Sequence, residues 1–176
     1  MPVLCPTWLP GNDRDAASSF GVRRIDLGDG RDAYLFELHQ DDDGRGPFHV
    51  LFGGRARPLG LRAIRGNWPA RLPVDDELRL IGRRQLEPGS HAALKPVRLR
   101  MLRRTTVAEQ PALLLRVVPF PDGGIHGGHY VLVWNDGGHG YAFSMHFTTP
   151  TDEDGTATAA QIRMLHRAAD SMAPAG

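Results

Sequence analysis

The stretch HYVLVWNDGGHGYAFSMHF, residues 129–147, decides the fold. Two runs rich in aromatic and β-branched residues flank the dipeptide Asp136-Gly137. An Asp-Gly pair between two such runs is a strong hairpin signal, because both central residues of the tight turn need a positive φ angle. A turn centred on Asp136-Gly137 pairs Trp134 with His139. The sequence therefore predicts an antiparallel hairpin in this register.

Alternation along the predicted hairpin indicates which of its faces is buried. Residues two apart share a face, so the large apolar side chains all fall on one side. That side is expected to be the core and carries Tyr130, Leu132, Trp134, Tyr141, Phe143 and Met145. The opposite face carries His129, Val131, Val133, Ala142, Ser144 and His146.

Further strands are predicted on the N-terminal side of the hairpin. Alternating apolar and polar residues, bounded by proline, glycine and acidic clusters, are typical of strands. They indicate strands at residues 31–39, 48–52, 77–83, 96–103 and 112–118, with a short edge segment at 3–10. The first two of these strands are expected to form a hairpin of their own.

One helix is predicted after the hairpin, over about residues 156–172. Ile162, Leu165, Ala169 and Met172 form a single apolar stripe at helical spacing. Strands followed by a closing helix, without alternation of strand and helix, are typical of the α+β class. The prediction is one α+β domain, an antiparallel sheet of about six or seven strands with the C-terminal helix packed on one face.

The C-terminal region resembles Mog1/PsbP-like domains. The resemblance covers about a third of the chain and is carried by GHYVLVW at 128–134, GYAFSMH at 140–146 and the ADSM that ends the helix at 169–172. It implies an α+β binding or assembly module, generally without catalysis of its own. It transfers no functional residues to this sequence.

Composition and charge narrow the class of protein. The 176 residues are 41% hydrophobic and carry a net charge of +1, and no apolar run approaches the roughly 20 residues of a membrane-spanning helix. Charge is uneven: residues 1–52 carry −4, residues 53–104 carry +9 and residues 105–176 carry −4. Only one of the 21 basic residues is lysine, a skew typical of a GC-rich genome.

Cysteine usage and the N-terminal sequence bear on the compartment. Cys5 is the only cysteine, which excludes an intramolecular disulfide or a cluster of thiolate ligands. The sequence MPVLCPTWLP does not have the charged and apolar regions of a signal peptide. We expect a cytoplasmic protein, with an exported mature domain as the alternative.

Histidines and glycines cluster before and within the hairpin. A binding surface is predicted at Gly124, His126, Gly128, His129, Ser144 and His146. In the predicted register His129 lies opposite Ser144, and His146 is its diagonal neighbour. His126, His129 and His146 are candidate ligands for a divalent metal such as zinc, or candidate acid–base groups. The alternative is that they are ordinary polar residues on a half-exposed sheet face and its loop.

A basic strand is the second candidate site. Arg98, Arg100, Arg103 and Arg104 lie within seven residues, and their guanidinium groups are suited to phosphates or to an acidic partner. Nucleic acid is the less favoured partner, because the segment carries no aromatic residues for base stacking. A solvated arginine face is the structural alternative.

The sequence contains no complete catalytic set and therefore favours binding over catalysis. The predicted function is a non-catalytic binding or assembly module that recognises a protein or a small ligand through its sheet face and the segment 122–129, with no cofactor. One alternative is a metal-binding protein or metal-dependent enzyme that uses the three histidines. A second alternative is an anion or nucleic-acid binder that uses the arginine segment. The oligomeric state is left open.

Overall fold

A computed structural model describes residues 1–10, 21–25, 33–39, 49–61, 67–69, 97–119, 129–147 and 157–175. The strand predicted at 77–83 lies outside these ranges. None of the helices within them is long and apolar enough to cross a membrane.

Within the described ranges the main sheet is antiparallel and has eight strands, where the sequence predicted about six or seven. Its strands are β2 (Gly21–Ile25), β3 (Ala33–His39), β4 (His49–Arg55), β5 (Asn67–Pro69), β6 (Val97–Val107), β7 (Gln110–Pro119), β8 (His129–Asp136) and β9 (His139–His146). Their order across the sheet is β2-β3-β4-β9-β8-β7-β6-β5. The predicted hairpin, β8–β9, therefore stands in the middle of the sheet.

The turn of the central hairpin differs from the predicted one by a single position. Gly137 and Gly138 are the two central residues, with φ angles of 54° and 81°, and Asp136 pairs with His139. Glycine adopts positive φ without the steric cost that an aspartate Cβ would add, so the turn forms on Gly-Gly rather than on Asp-Gly. The predicted pairing of Trp134 with His139 is wrong, and Trp134 faces Tyr141.

Both faces of the central strands are buried. The predicted core face is confirmed: its six residues belong to one apolar cluster together with Val50, Phe52 and Leu114. The other face is also closed to solvent, with each of its central residues at most 1% exposed: Leu51, Leu113, Leu115, Val131, Val133, Ala142 and Ser144. The expectation of a half-exposed second face is therefore wrong at these positions.

The predicted C-terminal helix is α1 (Ala159–Asp170). Thr158 caps it: its hydroxyl accepts from the Gln161 backbone N–H, and the Gln161 side chain accepts from the Thr158 N–H. This reciprocal pair satisfies two donors that a helix start leaves open. Leu165 and Ala169 are completely buried in the apolar cluster, so the predicted stripe faces the sheet. The α+β class is confirmed.

A two-stranded clasp joins the two ends of the described chain. β1 (Leu4–Pro6) pairs antiparallel with β10 (Met172–Pro174), the strand that follows α1. Just beyond β1, the Thr7 backbone N–H donates to the Ser171 carbonyl at 3.1 Å. The Ser171 hydroxyl also accepts from the Trp8 N–H at 3.0 Å. These contacts fix the C-terminal end of the helix against the N-terminal segment.

The segment after β4, residues 57–59, packs against the central hairpin. The Leu59 backbone N–H donates to the Asn135 side-chain oxygen at 2.7 Å, and the Asn135 amide donates back to the Leu59 carbonyl at 2.9 Å. Gly140 lies directly beneath: a Cβ at that position would stand 2.7 Å from Leu59 Cγ and 3.0 Å from the Arg57 carbonyl oxygen. The close approach therefore requires glycine.

Gly140→Ala should lower the free energy of unfolding by about 1–3 kcal/mol, because the added methyl must displace both a buried leucine and backbone. Gly60→Ala is the matched control, since a Cβ there meets nothing within 4 Å, and it should change stability by less than about 0.5 kcal/mol. Urea unfolding of the two variants measures the difference. Equal stability of the two would contradict the close approach.

Candidate functional site

A cationic groove runs between α1 and the adjoining strands of the sheet. It has a volume of about 1170 Å³ and lies over β6 and β7. We call it the arginine groove after the arginines that line it: Arg100, Arg103, Arg116, Arg163 and Arg167. Its other lining side chains include Leu102, Leu114 and Ile162, so charged and apolar surfaces adjoin each other there.

An irregularity in β6 puts two of these arginines on one face. Arg100 pairs with Arg116, but the register shifts between Met101 and Arg103, and Arg103 pairs with Leu114. Strict alternation would place residues 100 and 103 on opposite faces, whereas a bulge of one residue brings both to the same face. The bulge therefore concentrates positive charge on the side of the sheet that α1 covers.

The helix contributes the remaining charge to the arginine groove. Arg163 and Arg167 are four residues apart, which places them on neighbouring turns of one helix face. The Arg167 guanidinium carbon lies 4.0 Å from the centre of the Trp8 ring, and that of Arg116 lies 5.9 Å from the centre of the Tyr130 ring. Cation–π contacts of this kind orient a guanidinium without neutralising it.

Tyr130 connects the start of α1 to the sheet. Its side chain is only 2% exposed, and its hydroxyl accepts from the Ala157 backbone N–H at 2.7 Å. Both residues line the arginine groove. The buried tyrosine thus fixes the position of the first turn of the helix and, through it, the width of the groove.

His166 lines the arginine groove as a neutral imidazole. Burial lowers its pKa from the ordinary value of 6.5, and the charge of Arg103 lowers it further. Asp170 and a hydrogen bond with the Thr106 backbone act in the opposite direction but more weakly. Its Nε2 atom is buried and has no hydrogen-bond partner among the described residues. The groove therefore contains a buried imidazole nitrogen that makes no hydrogen bond to the described residues.

The predicted arginine site is found in part. Arg100 and Arg103 line the arginine groove, whereas Arg104 lines a separate pocket with Leu59 and Asn135. Arg98 lies in β6 opposite Val118. Sequence reasoning missed the three other groove arginines, at positions 116, 163 and 167. The four-residue spacing of the two helical ones, beside the apolar stripe, is the signal that could have found them.

The predicted histidine site is rearranged. His129 lies directly opposite His146, not opposite Ser144, because the true turn shifts the pairing by two residues. Ser144 instead pairs with Val131 and is completely buried. Gly124, His126 and Gly128 lie outside the described residues.

Strand pairing links two further histidines to His146, one directly and the other through the first. His49 of β4 pairs with His146, and His39 of β3 pairs with His49. Among the side chains that the structure describes, no group of three His, Cys, Asp or Glu is placed to hold a metal ion.

No family model, curated protein or solved structure matches the chain. The resemblance to Mog1/PsbP-like domains stays a prediction from the sequence.

The His166 imidazole should titrate below pH 6.5 in NMR spectra, and Arg103→Gln should raise its pKa because a neighbouring positive charge is removed. Arg104→Gln is the matched control and should leave the His166 titration as in wild type. Since the pKa of His166 is lower in the folded than in the unfolded chain, its protonation below pH 6.5 should destabilise the fold. A His166 pKa at or above 6.5 would contradict this description of the groove.

Proposed function

We propose that this protein is a non-catalytic binding module that holds an acidic segment of a partner protein in the arginine groove. The observation that carries the proposal is the charge of the groove. Of the residues that the structure describes, five arginines line it against one carboxylate, Asp170, and that carboxylate accepts a hydrogen bond from the Ala108 backbone N–H at 2.9 Å. The groove is thus strongly cationic although the whole chain carries only +1.

Three of the groove arginines are available to a ligand. Arg100, Arg103 and Arg163 are exposed, and among the residues that the structure describes no carboxylate forms an ion pair with them. Guanidinium groups bind carboxylates through paired hydrogen bonds of fixed geometry, so three of them in one groove favour a ligand with several acidic groups. Repulsion among the arginines is relieved when such a ligand binds.

The size of the groove favours a peptide over a small molecule. Pockets for small ligands usually have volumes of about 300–1000 Å³, and the arginine groove is larger and open. Its apolar surface includes Leu102, which is 42% exposed despite its size. An acidic segment with interspersed aliphatic residues would complement both kinds of surface, carboxylates against the arginines and apolar side chains against Leu102 and Ile162.

Nucleic acid fits the arginine groove less well. Binding of single strands depends on exposed aromatic rings on which bases stack. Among the described residues that line the groove, the aromatic one is Tyr130, which is 2% exposed and whose hydroxyl is engaged with Ala157. Phosphates could meet the arginines, but the described part of the groove offers the bases no exposed ring to stack on.

A fluorescein-labelled peptide of mixed Glu and Leu residues is the probe for this proposal. We expect it to bind, with an affinity that falls as salt concentration rises, because ion pairing with the arginines is screened. The double substitution Arg103→Glu with Arg163→Glu should weaken binding at least tenfold. Arg104→Glu, an equal change of charge per site outside the groove, should have little effect. Fluorescence anisotropy measures all three proteins.

Three results would overturn the proposal. The first is no binding of the acidic peptide to the wild type, and the second is an equal loss of affinity in the Arg104→Glu variant. The third is tighter binding of single-stranded DNA than of the peptide, with the same dependence on Arg103 and Arg163. Thermal melts of each variant establish that the charge changes, all at exposed positions, leave the fold intact.

A further inference from the structure

One titratable side chain of the arginine groove has no part in the binding of an acidic segment described so far. His166 lies on α1, between Arg163 and Arg167 in the sequence, and all three line the groove. Its Nε2 atom is buried and has no hydrogen-bond partner among the described residues. An imidazole changes its charge near neutral pH, so its protonation adds a positive charge inside the groove.

The imidazole of His166 is anchored to the sheet through its other ring nitrogen. It makes a hydrogen bond with the Thr106 backbone, and because Nε2 has no partner, Nδ1 makes this bond. The bond favours the protonated ring, which is the effect of an imidazole N–H that donates to a carbonyl oxygen. The neutral ring therefore carries its proton on Nδ1 and a lone pair on Nε2. Protonation places a second N–H at Nε2.

Positive charges predominate among the groups that line the groove with His166. The described charged side chains come from β6, β7 and α1 and are Arg100, Arg103, Arg116, Arg163, Arg167 and Asp170. The titratable Tyr130 of β8 also lines the groove, with its hydroxyl bound to the Ala157 N–H. A like charge disfavours the imidazolium and an opposite charge favours it, so the arginines oppose protonation and Asp170 supports it. After burial, Arg103 has the largest effect.

An acidic ligand changes the balance of charge around the ring. A carboxylate bound to the Arg103 guanidinium brings a negative charge to the group whose positive charge disfavours the imidazolium. An opposite charge within about 4–6 Å favours the protonated form of an imidazole. Protonation also turns Nε2 from an acceptor into a donor, and a carboxylate accepts hydrogen bonds but cannot donate them. The ligand and the proton therefore favour each other's binding.

We propose that the acidic segment binds in the arginine groove together with a proton on His166, so that its affinity rises as the pH falls. This inference rests on the proposed function, because it concerns the same ligand in the same groove. At high pH the ring is neutral with and without the ligand, and the affinity does not depend on it. As the pH falls, each unit by which the ligand raises the pKa of His166 corresponds to about a tenfold gain in affinity. The gain ends where the ring of the free protein is protonated as well.

Calorimetry with an unlabelled peptide of mixed Glu and Leu residues, between about pH 5.5 and about pH 8, tests the coupling. The glutamates, whose ordinary pKa is about 4.3, stay ionised over this range. We expect the peptide to bind at least about threefold more tightly at the lower pH, because it raises the pKa of His166. Proton uptake should appear as a binding enthalpy that changes with the ionisation enthalpy of the buffer. In NMR spectra the pKa of His166 should be higher in the complex than in the free protein.

His166→Asn separates the titration of the ring from its place in the fold. The asparagine amide can still donate to the Thr106 backbone from near the position of Nδ1, but it does not titrate. This variant should bind as wild type does at high pH and lose the gain at low pH. His139→Asn is the matched control, because His139 Nδ1 lies 3.3 Å from the Ala56 carbonyl oxygen, outside the groove. It should keep the wild-type pH dependence. Thermal melts show whether each variant folds, and His166→Gln replaces His166→Asn if that variant does not.

The possible results distinguish failure of the coupling from failure of the proposed function. Peptide binding that depends on Arg103 and Arg163 but is equal at both pH values would overturn the coupling alone. The same pH dependence in His166→Asn as in wild type would overturn His166 as the position of the proton, and so would an unchanged His166 pKa in the complex. A wild type that binds no peptide at either pH would overturn the proposed function and the coupling together.

Discussion

The pairing of Asp136 with His139 across Gly137 and Gly138 sets the register of the two strands at the centre of the sheet. Because side chains alternate with a period of two, a slip by one residue would exchange the faces of a whole strand. It would move Tyr141 and Phe143 out of the apolar cluster and bring Ala142 and Ser144 into it. The buried side chains on each face and the two-glycine turn thus favour the same register.

This register also separates two surfaces of different chemistry. The face that α1 covers collects arginines at its margin, where the helix begins beside Tyr130. The other face is apolar across its centre and ends where His146 pairs with His49 and His129. A ligand on one face need not disturb the other, because the buried central residues of β8 and β9 lie between them.

Sequence reasoning found the elements more reliably than their contacts. The predicted turn was displaced by one residue, which shifted the pairing by two and preserved the faces, so the core residues were right while the partner of His129 was wrong. Cross-strand contacts depend on the backbone of the turn, and Asp-Gly and Gly-Gly compete for that role in the sequence. Helical periodicity has no such ambiguity, and the stripe that contains Leu165 was confirmed.

The arginine groove and the pairing of the histidines depend on information that local pattern does not contain. His49 joins His146 because β4 returns to pair with β9, and strand order between distant segments is not visible in either segment alone. Arg103 joins Arg100 because of a bulge, which alternation by itself cannot predict. The buried hydroxyl of Ser144 was likewise assigned to a half-exposed face, because the residues that bury a face come from elsewhere in the chain.

The clasp between β1 and β10 has a consequence for how the chain is made. Thr7 and Ser171, which are joined by hydrogen bonds, are 164 residues apart. At about 5–20 residues per second, roughly 8–33 s of synthesis separates the two. The pairing of β1 with β10 thus forms only when nearly the whole described chain has been made. Burial in the folded chain raises the pKa of the Cys5 thiol in β1 and so lowers its thiolate fraction, which ties the reactivity of this thiol to completion of the fold.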